Sequence, residues 1–238
     1  MHCEILYQPS YSLAVVTLEQ GERIMAESGA MVSMSPTIKL DAQMSGGGVF
    51  GMIKSAVGGE SMFRSTFTAE TGRGEVTLAP GATGDLMTVE LSGEKMFVQP
   101  GSYMAGDADL NISVQGSLKG MLSGEGLFLL TVEGTGLLIL SSFGAIHALS
   151  LEPGEEYIVD TSHIVAFDSS VTYRIEKAAG KTKGIGGMFK GLVKSAMSGE
   201  GFVCRYTGPG RVYIQTRAME NFVRSIIPFL PKGSGGGN

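Results

Sequence analysis

Three acids recur along the chain in the same local setting, and they are the residues best placed to share a polar site. Glu60, Glu125 and Glu200 each follow a glycine, in Gly59-Glu60-Ser61-Met62-Phe63, Gly124-Glu125-Gly126-Leu127-Phe128 and Gly199-Glu200-Gly201-Phe202-Val203. Carboxylates gathered on one axis need a cation or carry raised pKa values, because each charge disfavours the next. The plainer expectation is that each glutamate closes a turn, accepting backbone N–H groups or pairing with a lysine. His163 is the second group with chemistry. Ser162, His163 and Asp168 can be written as a triad, but no G-x-S-x-G elbow accompanies them. Adjacent strand residues also point to opposite faces, which would separate Ser162 from His163. His2, His147 and His163 form no H-x-x-x-H or H-x-H pair, so no metal site is expected.

The glycine-rich loops fail as phosphate cradles. Gly180-Lys181-Thr182 supplies the end of a Walker A motif, but Ile175 stands where its first glycine belongs. In Gly184-Ile185-Gly186-Gly187-Met188-Phe189 the second interval is too short for a dinucleotide fingerprint. No catalytic residue and no cofactor are therefore expected. A basic stretch from Thr172 to Ser198 carries Arg174, Lys177, Lys181, Lys183, Lys190 and Lys194 against Glu176 alone. With Phe189, Leu192, Val193 and Met197 interleaved, it reads as a surface for an anionic membrane or a protein partner, centred on Lys181, Lys183, Lys190, Lys194, Phe189 and Leu192. The competing expectation is a loop and short helix docked on a β core with the lysines in solvent.

Composition narrows the classes. The 238 residues are 43% hydrophobic and 17% charged, with net charge −5, which argues against a chain-wide footprint for nucleic acid. The chain has no tryptophan and no aromatic stripe of the RNA-binding kind, so no nucleic-acid partner is expected. Its 36 glycines follow no G-x-y period and separate short apolar runs, where they serve turns and bulges. Cys3 and Cys204 lie far apart and read as incidental or buried thiols of a reducing compartment. The start lacks a signal-peptide pattern, and the longest uncharged apolar stretch, Gly134 to Leu149, falls short of the roughly 20 residues of a spanning helix. The expected location is cytoplasmic, with peripheral membrane contact as an option.

The elements that must position these residues come in three similar units. Val16-Thr17-Leu18-Glu19-Gln20-Gly21-Glu22, Val89-Glu90-Leu91-Ser92-Gly93-Glu94 and Leu149-Ser150-Leu151-Glu152-Pro153-Gly154-Glu155 each alternate and then reach a Gly-Glu turn. Alternation at period two marks a half-buried strand, and the glycine permits a tight reversal. Second strands are expected at Arg23–Ala26, Lys95–Val98 and Glu156–Val159, and further ones at Ala30–Met34, near Leu110–Val114 and at Ile164–Phe167. Strands that begin at the three Gly-Glu blocks should reach glycine hairpins at Gly72-Arg73-Gly74, Gly134-Thr135-Gly136 and Gly208-Pro209-Gly210. They should return along Glu75–Leu78, Leu137–Leu140 and Arg211–Gln215.

The common glycines 59, 124 and 199 lie 65 and 75 residues apart, too irregular for a solenoid. Gly51–Glu60 reads closely with Gly191–Glu200, and just before each Gly-Glu the residues Phe50, Ile53, Ala56 and Val57, or Phe189, Leu192, Val193, Ala196 and Met197, fit a short helical insertion with one apolar face. The expectation is an all-β fold with minor helices: an internally repeated β-sandwich or double-stranded β-helix-like structure with pseudo-threefold symmetry. Residues 1–230 form one assembly of repeats at 12–82, 86–146 and 147–217, with a helix at 218–228 ended by Pro228, and 231–238 is a flexible tail.

Gly46-Gly-Gly-Val-Phe-Gly-Met-Ile-Lys54, Gly199-Glu-Gly201-Phe and Gly208-Pro-Gly210-Arg211-Val-Tyr-Ile-Gln-Thr216 resemble an uncharacterised conserved prokaryotic family. That family is related to fungal mitochondrial biogenesis factors of the altered-inheritance-of-mitochondria class, and the resemblance runs to Met219-Glu-Asn-Phe222. It implies a fold similar to the tryptophan RNA-binding attenuation proteins (TRAP-like), with internal duplication and homo-oligomerisation. It implies no enzyme activity and transfers no catalytic residues. Its mitochondrial members look like organisers of inner-membrane architecture, whereas this chain shows no transit pattern at its start. The leading expectation is a non-enzymatic oligomeric scaffold or interaction protein, peripheral to a membrane in one version. The alternative is a small-ligand or metal-binding β-barrel protein using Glu60, Glu125, Glu200 and His163.

Overall fold

The computed structural model describes residues 1–43, 64–116, 127–177 and 202–230. Within them the chain is mostly β with one short helix. The first third holds β1 (His2–Leu6), β2 (Leu13–Leu18), β3 (Arg23–Glu27), β4 (Met31–Met34), β5 (Ile38–Gln43), β6 (Arg64–Ala69) and β7 (Gly74–Leu78). The middle holds β8 (Leu86–Val98), β9 (Tyr103–Asp107), β10 (Asn111–Gln115) and β11 (Leu129–Ser141). The last third holds β12 (Ile146–Leu151), β13 (Glu156–Asp160), β14 (Ile164–Asp168), β15 (Thr172–Lys177), β16 (Phe202–Thr207) and β17 (Gly210–Gln215), then helix α1 (Met219–Ile226). The helix-like patterns near 50–57 and 189–197 and the tail at 231–238 lie outside the described residues.

Alternation sets the strands. In β2, Ala14, Val16 and Leu18 are fully buried while the residues between them are half-buried, the period-two signature of a strand with one face on a core. In β11 the runs Leu129–Val132 and Leu137–Ser141 are buried on both faces, so this strand is covered on both sides. The strands form a 4-stranded sheet in the order β1-β2-β7-β4 and a 3-stranded sheet in the order β13-β16-β15. A third sheet has 10 strands, in the order β12-β17-β14-β8-β11-β9-β3-β6-β5, with β10 paired to β11.

The glycine turns are corners rather than reversals, which corrects the sequence expectation. β2 and β3 lie in different sheets, as do β6 and β7, β12 and β13, and β16 and β17. In the middle of the chain the same positions do not break the strand at all. β8 runs through Ser92-Gly93-Glu94, and β11 runs through Gly134-Thr135-Gly136 with a register shift between Glu133 and Thr135. Apolar alternation and a glycine look alike for a hairpin and for a strand that bends into a second sheet. The turn glycines Gly21, Gly93 and Gly154 have φ of +88°, +101° and +81°, a conformation that a Cβ disfavours.

The antiparallel pairings fall into three similar sets. β2 pairs with β7 so that Leu18 faces Gly74; β8 pairs with β11 so that Leu91 faces Gly136; β12 pairs with β17 so that Leu151 faces Gly210. β4, β9 and β14 lie against β7, β11 and β17, each with a register shift that leaves one residue unopposed: Val32, Met104 and Val165. β6, the first half of β11, and β16 are each flanked on one side by β3, β8 or β13 and on the other by β5, β10 or β15.

Three apolar clusters fill the interior. The first gathers Val16, Ile24, Phe67, Leu78 and Ile139; the second gathers Met96, Tyr103, Leu130, Leu140 and Val165. The third is built around Phe167, whose ring centroid lies 5.0 Å from Tyr206, 5.1 Å from Tyr173 and 5.2 Å from Phe97 in tilted and edge contacts. One buried acid ties the sets together. Asp85 accepts from Leu86 N at 2.9 Å, from Ser12 Oγ and Gln8 Nε2 at 3.1 Å, and from Ile146 N at 3.5 Å. It thus joins the segment before β2 to the starts of β8 and β12.

Candidate functional site

Glu60, Glu125 and Glu200 lie outside the described residues, as do Lys181, Lys183, Lys190, Lys194, Phe189 and Leu192. The acids that can be placed are those of the Gly-Glu turns. Glu22, Glu94 and Glu155 each fold back so that a carboxylate oxygen accepts a backbone N–H of its own turn: Glu19 N at 2.8 Å, Ser92 N at 2.9 Å and Glu152 N at 2.8 Å. They brace corners. Glu22 also accepts from the chain's amino terminus, and this bond, with the Glu19 amide, lowers its pKa.

The proposed triad members have separate partners. Ser162 Oγ donates to Asp160 at 2.7 Å, and Asp168 receives Arg211 Nε at 3.0 Å and Arg211 N at 2.9 Å. His163 closes a 3-10 turn, Thr161–His163, rather than sitting in a strand, and its Nδ1 lies 2.7 Å from the Gln215 carbonyl. It lines a cleft of about 360 Å³ with Phe143, Thr216, Asn221 and Phe222, the last pair being on α1. Gln215 props this wall by donating to Ser162 O at 3.0 Å and accepting from Phe143 N at 2.9 Å. No carboxylate or thiol lines the cleft among the described residues. Among the described residues no three His, Cys, Asp or Glu side chains gather to hold a metal ion.

Ile175, at the failed Walker position, sits in β15 opposite Cys204. Both cysteines are free, and burial pushes the Cys3 thiol up to about 11 and the Cys204 thiol up to about 12. The first residues of the basic stretch also form β15, where Arg174 and Arg205 meet acids across the 3-stranded sheet. Glu176 accepts from Arg174 Nε at 2.8 Å and Arg205 Nε at 3.0 Å, while Arg205 Nη1 reaches Glu156 at 3.3 Å. The Arg205 and Arg174 guanidinium groups hold the Glu176 carboxyl down at about 2.

What the described surface offers instead is strand edge and apolar area. β4 ends one sheet and β13 ends another. All four residues of β4 are exposed, Val32 by 58%, and in β13 Tyr157 and Ile158 are 43% and 47% exposed. Helix α1 has no buried residue, and Phe222, Val223 and Ile226 show on its surface, as does Ile227 just after it, although Phe222 leans on the Phe143 ring at 5.4 Å. Sequence reasoning placed strands at Ala30–Met34 and Glu156–Val159 but gave no sign that they are edges. Which strand is outermost depends on pairings between distant segments. Among the described residues no helix is long and apolar enough to cross a membrane.

The sheets, corners and open edges define a mostly β, multi-sheet protein with one short helix. The chain belongs to the family described as Mitochondrial biogenesis AIM24, whose model matches residues 3–217. It is 30% identical over 233 residues to an uncharacterized protein of Streptococcus pyogenes serotype M6, covering 94% of this chain and 89% of that protein. A crystal structure of a Streptococcus pyogenes protein superimposes with a TM-score of 0.76 at 28% identity, covering 96% of this chain and 99% of that one.

Proposed function

We propose that the chain is a non-enzymatic, oligomeric scaffold or interaction protein built from three repeats, with two of the three joints that a pseudo-threefold arrangement needs, β9 to β3 and β14 to β8, made within the chain. The observation that carries this is the pair of strand edges, β4 and β13, that present Val32, Tyr157 and Ile158 to solvent. Exposed apolar edges are templates for added strands, and stable proteins cover them. The recurring Leu-to-Gly pairings at Gly74, Gly136 and Gly210 and the three matching register shifts support the repeat reading. The double-stranded β-helix-like and TRAP-like descriptions belong with it. Light scattering of the purified chain tests this reading: a mass of two or more chains is expected, and a strict monomer at working concentration contradicts it.

Peripheral membrane contact is a second reading, favoured by α1 and the segment after it. Phe229 is 85% exposed and Leu230 57%, next to Ile227 and Phe222. Such an apolar face suits the headgroup boundary of a bilayer. Flotation with anionic liposomes should carry the protein upward, and Phe222→Ser with Phe229→Ser should abolish this. Absence of flotation by the unmodified chain contradicts the membrane reading.

A further inference from the structure

We infer that β4 of one copy adds to β13 of a second copy, joining the 4-stranded and the 3-stranded sheets into one. This rests on the oligomeric reading above and specifies its joint.

The pattern for the joint is present twice inside the chain. β9 pairs with β3 through Asp107 with Ile24, Gly106 with Met25 and Ala105 with Ala26. β14 pairs with β8 through Asp168 with Met96, Phe167 with Phe97 and Ala166 with Val98. The two ladders share one register. Ile24 and Met96 each stand two residues past a turn glutamate, Glu22 and Glu94. Asp107 and Asp168 each offer a backbone carbonyl to the amide three residues on, Leu110 N and Val171 N, both at 3.1 Å.

The same landmarks exist at the two open edges. Ser35 O accepts from Ile38 N at 3.0 Å, so Ser35 stands where Asp107 and Asp168 stand. Tyr157 lies two residues past Glu155 and so occupies the place of Ile24 and Met96. The pairing left to form is therefore Ser35 with Tyr157, Met34 with Ile158, and Ser33 with Val159.

Burial points the same way. Met104 and Val165, unopposed at the register shifts of β9 and β14, are 0% exposed, whereas Val32 at that place in β4 is 58% exposed. Ile24 and Met96 are 0% and 1% exposed, whereas Tyr157 is 43% exposed. The apolar character of these positions is kept where the neighbouring strand is not. The edges are complementary rather than identical, so the joint is head-to-tail and closes into a ring or continues as a filament.

Cross-linking tests the register. Opposed residues of an antiparallel pair have Cα atoms roughly 4.5–5.5 Å apart, within disulfide range. Met34→Cys and Ile158→Cys, each in a Cys3→Ser background, are co-expressed on differently tagged chains and mildly oxidised. The expected result is a 34–158 disulfide between chains, several-fold more abundant than any dimer of either variant alone. It should fall several-fold when Met31→Cys replaces Met34→Cys. An oligomer by light scattering without this disulfide overturns the joint and leaves the oligomeric reading standing. A 34–158 link formed only within one doubly substituted chain also overturns it, because the ring would then close in one molecule. A strict monomer overturns both.

Discussion

Strands β9 and β14 are made like β4, yet the first two are buried and the third is open. Each carries a register shift against its inner neighbour, and each leads into a similar turn. Tyr103–Gly106 and Ile164–Phe167 are buried throughout, while each of Met31–Met34 is exposed. The difference lies in what stands beside them: β3 covers β9 and β8 covers β14. A strand's burial is thus a property of its neighbour as much as of its own residues.

The largest effect should come from placing a charge at matched sites. Ala166→Asp puts a carboxylate at a fully buried position between β17 and β8, with an expected loss above about 4 kcal/mol and failure to fold. Ser33→Asp, at the equivalent place in β4, should change monomer stability by less than about 1 kcal/mol while lowering the assembled mass. Urea unfolding and light scattering read the two outcomes, and equal destabilisation would remove the distinction between inner and outer strands.

Next come truncations of aromatic side chains. Phe167→Ala empties the centre of the third cluster and should cost about 3–5 kcal/mol in chemical denaturation. Tyr157→Ala on the open edge should cost less than about 1 kcal/mol in the monomer and act on association.

A smaller effect is acid-dependent. Glu176 is held at about 2 by Arg205 and Arg174, below its ordinary 4.5. A depressed carboxylate pKa adds stability above the unfolded value that is lost as pH falls through the folded one. Thermal unfolding between pH 5 and pH 2 should therefore show a fall that Glu176→Gln flattens, and an unchanged profile in that variant would contradict the ion-pair account.

The smallest effect concerns the thiols. With Cys3 raised to about 11 and Cys204 to about 12, little thiolate forms near neutral pH. Labelling by a disulfide reagent should be slow in the folded chain and fast in denaturant. Rapid labelling of folded Cys204 would contradict its burial.

Much of the strand content was legible because alternation survives in short runs such as Val16 to Leu18, and because a short apolar run rich in β-branched and aromatic residues, Ile164 to Phe167, reads as a covered strand. The matching Gly-Glu turns were legible for the same reason: φ near +90° at Gly21, Gly93 and Gly154 leaves glycine at a fixed place. Sheet membership was not. A corner at Gly72–Gly74 and an unbroken strand through Gly134–Gly136 share the Gly-x-Gly pattern, and only long-range pairing tells them apart. β9 escaped notice because Tyr103-Met-Ala-Gly106 is buried on both faces, so it lacks alternation, and it also lacks the β-branched residues that mark the equally buried Ile164-Val-Ala-Phe167. The placeable candidates for chemistry dissolved on geometry, since Ser162, His163 and Asp168 each bind a different partner. The proposed site, two strand edges, leaves no motif because backbone amides and carbonyls form it.

Hydrogen exchange of the assembled protein tests the central claim most directly, comparing the unmodified chain with Val32→Lys, which places a charge on β4. The amides of Glu156–Asp160 that point away from β16 should be protected in the unmodified chain and exchange markedly faster in Val32→Lys, with Tyr103–Asp107 and Ile164–Asp168 unchanged. Equal exchange of Glu156–Asp160 in both chains would contradict the account.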